Sequence, residues 1–454
     1  MRNRKILIPL IIIVLVAILI KSQYPKLFIA TGYGAKAMAT AVFVCGRDPQ
    51  VAQSVELNYS IVKYTKSEIN FKNKSVTTSF WSLAKQTAVY REGYGCCLAG
   101  DSSEDSLQKY SITLPAVKQV GVWRTPWPMG DLRKDTIFPE IDTIKLKKVV
   151  YSAFGSPLVD KRWTAAVVVL YKGELIAEKY SEELGVTPDT RIWGWSMTKS
   201  IMNAMAGVLT KQRKLDVKSS APVNQWLNDP RRNITINDLM HMSSGLKWDE
   251  DYGDVSSVTK MLYRSADCYK VAIEVPYQMK PGTEWKYSSG TSNILSGIMR
   301  NLIGNDKIYH EFPYREIFNK IGISTMVLET DAAGNFVGSS YSNATARDWA
   351  RFGLLYYNDG VWKGDTILPN GWVNYTRTPA YGSKGEYGAQ FWLNKSKTLP
   401  DAPEDLFFCD GHRGQRIFII PSRNLVVVRL GYSETGFDHN QFLKEILSAI
   451  KQKK

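Results

Sequence analysis

Ser196 and Lys199 stand three residues apart in Gly194-Trp195-Ser196-Met197-Thr198-Lys199-Ser200, a spacing that puts both side chains on one face of a helix. A serine hydroxyl so placed is a potential nucleophile. A desolvated lysine beside it tends to lose its proton and act as a base rather than a cation. The spacing alone is common, because Ser60, Ser82, Ser106, Ser244, Ser257 and Ser448 also precede a lysine by three. Context separates Ser196 from these. It follows a Gly-Trp pair and opens a segment with apolar residues at Met197, Ile201, Met205, Val208 and Leu209. That pattern predicts a helix with Ser196 at its N-terminus, where free N–H groups and the helix dipole favour developing negative charge.

Two further segments supply complementary groups. Pro281-Gly282-Thr283-Glu284-Trp285-Lys286-Tyr287-Ser288-Ser289-Gly290 is a turn-rich approach to a helix predicted over Ser292 to Leu302, and it delivers Tyr287 from a loop. A tyrosine held beside a lysine is expected to have a lowered phenol pKa and to shuttle protons between serine, leaving group and water. Asp410-Gly411-His412-Arg413-Gly414-Gln415 precedes a strand predicted from Arg416 to Ile420. Small residues there let a substrate backbone approach, and an N–H of the segment is placed to join that of Ser196 in an oxyanion hole. Taken singly, each segment has an ordinary explanation: a solvated lysine, a tyrosine packed under a loop, a glycine turn. The histidines show no metal-binding spacing, so no metal and no cofactor are expected.

The elements that must position these groups are legible at the two ends of the chain. Ile141 to Phe154 carries a helical apolar stripe. Ala165 to Tyr171 and Leu175 to Tyr180 read as a hairpin turning at Lys172-Gly173, and Arg416 to Ile420 and Leu425 to Leu430 form a second pair. A last helix is predicted from about Asn440 to Lys451. One antiparallel sheet built from both ends, with a mostly helical insertion over about 197 to 375, gives an α/β (α+β) fold.

The three motifs, in this order, resemble those of class C β-lactamases and their hydrolase relatives in the penicillin-recognising superfamily. The 6-aminohexanoate-dimer hydrolase and related esterase branch is the most similar. Asp238 to Leu246 and Ala344 to Gly353 look familial as well, and the resemblance spans about residues 141 to 450. It implies a β-lactamase/transpeptidase-like fold, a mainly antiparallel sheet flanked by helices with a helical lobe and a cleft between. It also implies acylation of Ser196, proton transfer by Lys199 and Tyr287, and an oxyanion hole from the backbone N–H groups of Ser196 and Gln415. Ser289, His412, Arg413 and Gly414 would meet substrate. Ser289 stands where the β-lactamases usually carry asparagine, and His412-Arg413-Gly414 where they carry Lys-Thr-Gly. These departures remove the usual ammonium for a β-lactam carboxylate, although Arg413 or a protonated His412 is a possible substitute. Hydrolysis of a small amide, peptide or ester is therefore expected ahead of β-lactamase or D-alanyl-D-alanine carboxypeptidase activity. A silent binding protein on the same fold is the rival from another class, and the complete Ser–Lys–Tyr set argues against it. Asp249, Glu250, Asp251 and Tyr252 are expected on the cleft rim, as a solvated acidic loop.

The remaining sequence sets the surroundings. Arg2, Arg4 and Lys5 precede an uncharged apolar run from Ile6 to Ile20, closed by Lys21. Residues 1–22 are thus expected to form a single-pass membrane anchor, ahead of a cleaved signal peptide because no small-x-small site follows the run directly. Its basic end is then cytoplasmic and the body outside, which is the periplasm if the cell is Gram-negative. Residues 23–140 form an extension of unassigned role, and 141–454 the hydrolase domain. The net charge of +15 comes from lysines and arginines interleaved with acidic residues, as in Lys211 to Asp216, which argues against nucleic acid as a partner. Five cysteines, two of them adjacent at Cys96 and Cys97, do not make a disulfide framework.

Overall fold

A computed structural model describes residues 4–100, 102–115, 125–155, 162–433 and 437–451, with side chains from Ser22 onward. The central sheet has six strands, all antiparallel. β5 (Thr164–Tyr171) and β6 (Glu174–Tyr180) come from the first predicted hairpin, and β9 (Gln415–Ile420) and β10 (Leu425–Gly431) from the second. β7 (Trp392–Leu393) and β8 (Phe407–Gly411) complete the order β7-β8-β9-β10-β5-β6. Leu425 pairs with Tyr171 and Val428 with Val168, so the two chain ends meet in the middle of the sheet as the hydropathy pattern predicts.

Both faces of β5 are buried, which explains its unbroken run Ala165-Ala166-Val167-Val168-Val169-Leu170. One face packs on α2 (Thr143–Ser152) and the C-terminal helix α7 (His439–Ser448) through Leu146, Val150, Phe442 and Ile446. The other packs on the helical lobe, whose members include α3 (Thr198–Lys211), α4 (Ser257–Arg264), α5 (Ser289–Ile303) and α6 (Ala346–Tyr357). α5 begins three residues before its predicted start, because Ser288 caps it by accepting from the Thr291 N–H.

The extension is built on one long helix, α1 (Arg4–Ala39). The side chains of the apolar run Ile6 to Ile20 lie outside the described residues. Ser22–Val44 is also long and apolar enough to cross a membrane, yet 72% of its most apolar window is buried inside the protein. A four-stranded antiparallel sheet wraps it: β1 (Thr65–Asn70), β2 (Ser75–Phe80), β3 (Leu83–Arg91) and β4 (Gly95–Leu98). Ala30, Tyr33, Ala37 and Met38 share one continuous core with Trp195, Leu262 and Tyr341 of the lobe. A buried ion pair crosses the same boundary, with Lys36 Nζ 2.8 Å from Glu329 Oε2 and both side chains fully enclosed. All five cysteines are free thiols.

Candidate active site

Ser196 sits in a tight turn, Trp195–Met197, that runs directly into α3. Trp195 takes a left-handed backbone with φ of 50°, a costly conformation for a bulky residue, and the packing around it holds it there. Its indole stacks on Trp193 at 3.8 Å, and Tyr33 of α1 stacks against its ring at 5.9 Å. Thr198 Oγ1 donates to the Trp195 carbonyl at 2.6 Å and closes the turn. Ser196 itself is half-buried, at the floor of a cavity of about 530 Å³. Ile29, Tyr33, Tyr263, Tyr287 and Trp392 form much of the apolar wall.

Lys199 is buried one turn along α3 and has three acceptors: Ser196 Oγ at 3.0 Å, Ser289 Oγ at 3.1 Å and the Ser339 carbonyl at 2.9 Å. Burial lowers its pKa to about 8, against the opposing pull of Glu250 and Asp410. The hydrogen bonds have a direction. The Ser339 carbonyl can only accept. Ser289 Oγ gives its single hydrogen to Glu250 Oε1 at 2.5 Å and therefore accepts from Lys199. A neutral Lys199 spends its two N–H bonds on these partners, which leaves its lone pair aimed at Ser196 Oγ. The site thus holds an amine with a lowered pKa, poised to take the serine proton.

Tyr287 is half-buried, shares a hydrogen bond with Ser196, and presents its ring face to Lys199 Nζ, 4.8 Å from the centroid. The expected lowering of its pKa is not found. Burial first, then Glu250, raise it well above the ordinary phenol value, so the hydroxyl stays protonated and is built to donate.

The other sequence candidates separate. Ser289 is fully buried under Lys199, where it touches the lysine rather than the cavity. Its N–H donates to Glu250 Oε2 at 2.8 Å. Glu250, expected on a solvated rim, instead faces inward and also accepts from Tyr252 Oη at 2.9 Å and from the Trp248 indole. Tyr252 lines the cavity, while Asp249 and Asp251 are exposed.

In the third motif His412 lines the cavity, edge-on to Trp195 at 5.3 Å. His412 is exposed to solvent, and desolvation and then the Arg413 charge lower its pKa, so it carries no standing charge at pH 7 in place of the ammonium. Arg413, with φ of 64°, turns the other way. It donates to the carbonyls of Val55 at 3.1 Å and Glu56 at 3.2 Å and covers the Tyr59 ring. The cation expected at a substrate carboxylate therefore binds the extension instead. Gly414 lies in the left-handed region with φ of 84°, and its carbonyl accepts from the buried Arg429 at 3.0 Å. The Gln415 side chain receives the Gly431 N–H at 3.0 Å and pins β9 to β10. Sequence reasoning missed Arg429, since a lone arginine in an apolar strand carries no local signal of such a role. No cluster of ligands fit for a metal occurs among the described residues.

Gly411 fixes how closely this hairpin meets the serine turn. A Cβ there would lie 2.2 Å from the Gly194 carbonyl oxygen, a backbone atom that cannot move aside. We expect Gly411→Ala to push β8 and β9 off the turn and lower kcat/KM about tenfold to a hundredfold, the range for a misplacement near 1 Å. Steady-state kinetics beside a thermal melt will show whether that loss exceeds any loss of stability.

A family model described as Beta-lactamase matches residues 156–443. The 6-aminohexanoate-dimer hydrolase of Paenarthrobacter ureafaciens is 23% identical over 383 residues, covering 76% of this chain and 92% of that protein. A putative 6-aminohexanoate-dimer hydrolase from Bacillus anthracis superposes with a TM-score of 0.54 at 23% identity, over 64% of this chain and 78% of its own. A family VIII carboxylesterase does so with a TM-score of 0.53 at 15% identity, over 70% of this chain and 98% of its own. With a family model matched across more than half of its length, the chain belongs to the beta-lactamase family.

Proposed function

We propose that the protein is a serine hydrolase that cleaves an amide or ester bond through an acyl-enzyme on Ser196. The observation that carries this reading is the buried Lys199 amine, 3.0 Å from Ser196 Oγ and with its pKa lowered to about 8. In this reading neutral Lys199 takes the proton as Ser196 Oγ bonds the acyl carbon. The protonated Tyr287 then gives its proton to the departing amine or alcohol, and water releases the acid in the reverse sense. The backbone N–H groups of Ser196 and Gln415 hold the oxyanion. Gly411 against Gly194 supports that assignment by bringing the β8–β9 turn onto the serine turn.

The names of the relatives, a dimer hydrolase and a carboxylesterase, favour amides and esters. The neutral His412 and the diverted Arg413 weigh against a carboxylate-bearing β-lactam or peptidoglycan substrate. The basic flank and apolar run Ile6 to Ile20 support a single-pass anchor, with the body outside the cytoplasm.

The test is intact-mass labelling with a fluorophosphonate, beside a Ser196→Ala control. One adduct, mapped to Ser196 and missing from the control, is expected. An adduct on another serine, or none on folded protein, sinks the assignment.

A further inference from the structure

We infer that the cavity over Ser196 opens at the bilayer surface and takes a long-chain acyl amide or ester that resides in the membrane. The inference rests on the proposed hydrolase and anchor and names their substrate class. Its first support is the continuity of α1. The helix that contains the apolar run Ile6 to Ile20 continues to Ala39, and its residues Lys26, Ile29, Ala30 and Tyr33 wall the cavity. At 1.5 Å per residue, Ile29 lies only about 12 Å beyond Lys21 along the helix. A headgroup layer adds roughly 5–8 Å on each side of the hydrocarbon core, so Ile29 stands a few ångströms above it, at the outer surface of the bilayer.

A second support comes from the sheet around α1. Ala84 at the start of β3 accepts from Thr31 Oγ1 at 2.6 Å, and Tyr90 near its end packs on Phe43 at 6.2 Å between ring centroids. β3 therefore runs alongside α1 in the same direction, and the turn before it, Phe80 to Ser82, projects back toward the anchor. Thr65 pairs with Phe80, which brings Ile61 to Tyr64 to the same end.

That end carries an exposed apolar collar. Trp81 is 78% exposed, and Leu83, Tyr64, Ile61 and Tyr24 are exposed with it. Lys63, Lys66 and Lys85, also exposed, stand among them. Aromatic residues mixed with lysines are what a membrane interface recruits, the rings at headgroup level and the ammonium groups on lipid phosphate. Ile61 belongs to both collar and cavity wall, so the apolar surface is continuous from the outside to the site. Ile29, Ala30, Val62 and Leu262 then offer an acyl chain an apolar route to Ser196.

The chemistry is ordinary acyl transfer. Ser196 Oγ bonds the acyl carbon, the C–N or C–O bond breaks, and the amine or alcohol leaves with the proton. Water then frees the fatty acid and restores the serine hydroxyl.

The experiment uses the full chain reconstituted in phosphatidylcholine/phosphatidylglycerol vesicles. Hydrolysis of p-nitrophenyl laurate in the bilayer is compared with that of soluble p-nitrophenyl butyrate, for wild type and for Trp81→Ser/Leu83→Ser. The laurate is expected to be cleaved at least tenfold faster in kcat/KM. The double variant should lose about fivefold or more on laurate in vesicles and nothing on soluble butyrate. Equal rates for both chain lengths, or a double variant unchanged on the laurate, overturn the inference while Ser196 labelling still stands. No turnover of either ester and no fluorophosphonate adduct overturn the hydrolase reading with it.

Discussion

Replacing Lys199 by methionine lowers kcat/KM by about a hundredfold to ten-thousandfold, the share of a rate that a well-placed general base supplies. The variant keeps its fold, because methionine fills much of the same buried volume on α3 and brings no charge. It does strip a donor from Ser289 Oγ and from the Ser339 carbonyl, at a cost of about 1–3 kcal/mol each where no other donor reaches them. The measurement is the rate of fluorophosphonate labelling at Ser196, with near-ultraviolet circular dichroism to report packing. A loss below tenfold in a folded variant removes Lys199 as the base.

The pH dependence tests the same assignment without a mutation. With a pKa of about 8, only about one lysine in ten is neutral at pH 7. If the neutral amine is the active form, kcat/KM climbs about 50-fold from pH 6 to pH 8 and then levels off. The raised Tyr287 pKa adds no falling limb near this range, since the phenol keeps its proton. A profile that falls above pH 8 would mean that the ammonium, not the amine, does the work.

How far the site was readable from sequence depended on how far apart its partners lie. Ser196 and Lys199 meet because helical geometry brings residues three apart together, and that is visible in one dimension. The hairpins of the central sheet were legible for a similar reason, since Lys172-Gly173 punctuates two strand-like runs. Glu250 was misjudged because its partner Ser289 lies 39 residues on, and a carboxylate among Asp249, Asp251 and Asp254 looks like solvated surface. The direction of Arg413 is set by its positive φ and by two carbonyls more than 350 residues earlier, which no local pattern reveals. The strands around α1 were missed because segments such as Thr65–Asn70 and Ser75–Phe80 are mostly serine, threonine and lysine. They bury few side chains, and only the helix they enclose gives their alternation a meaning.

That enclosure yields the largest expected effect on stability. Lys36 and Glu329 are both fully buried, and Glu329 also accepts from the Cys96 N–H at 2.7 Å and from Asn343 Nδ2 at 3.1 Å. Lys36 Nζ donates to Thr40 Oγ1 at 2.6 Å and lies over the Tyr341 ring at 4.0 Å. Lys36→Met alone leaves a carboxylate in the core without its counter-charge and is expected to cost about 3–5 kcal/mol. Adding Glu329→Gln removes the stranded charge and keeps an acceptor oxygen for the Cys96 N–H, while a turned Asn343 amide can accept from the new NH2, so the pair should recover more than half of that loss. The damage reaches the site as well as the fold, because Lys36 also lies 4.7 Å over Trp193, which stacks on Trp195 beside the serine. Denaturant melts of the single and double variants measure the first effect, and Ser196 labelling in native buffer measures the second. Should Lys36→Met leave the midpoint unmoved, the extension does not share the catalytic core; should both fall together, α1 holds up the wall of the cavity.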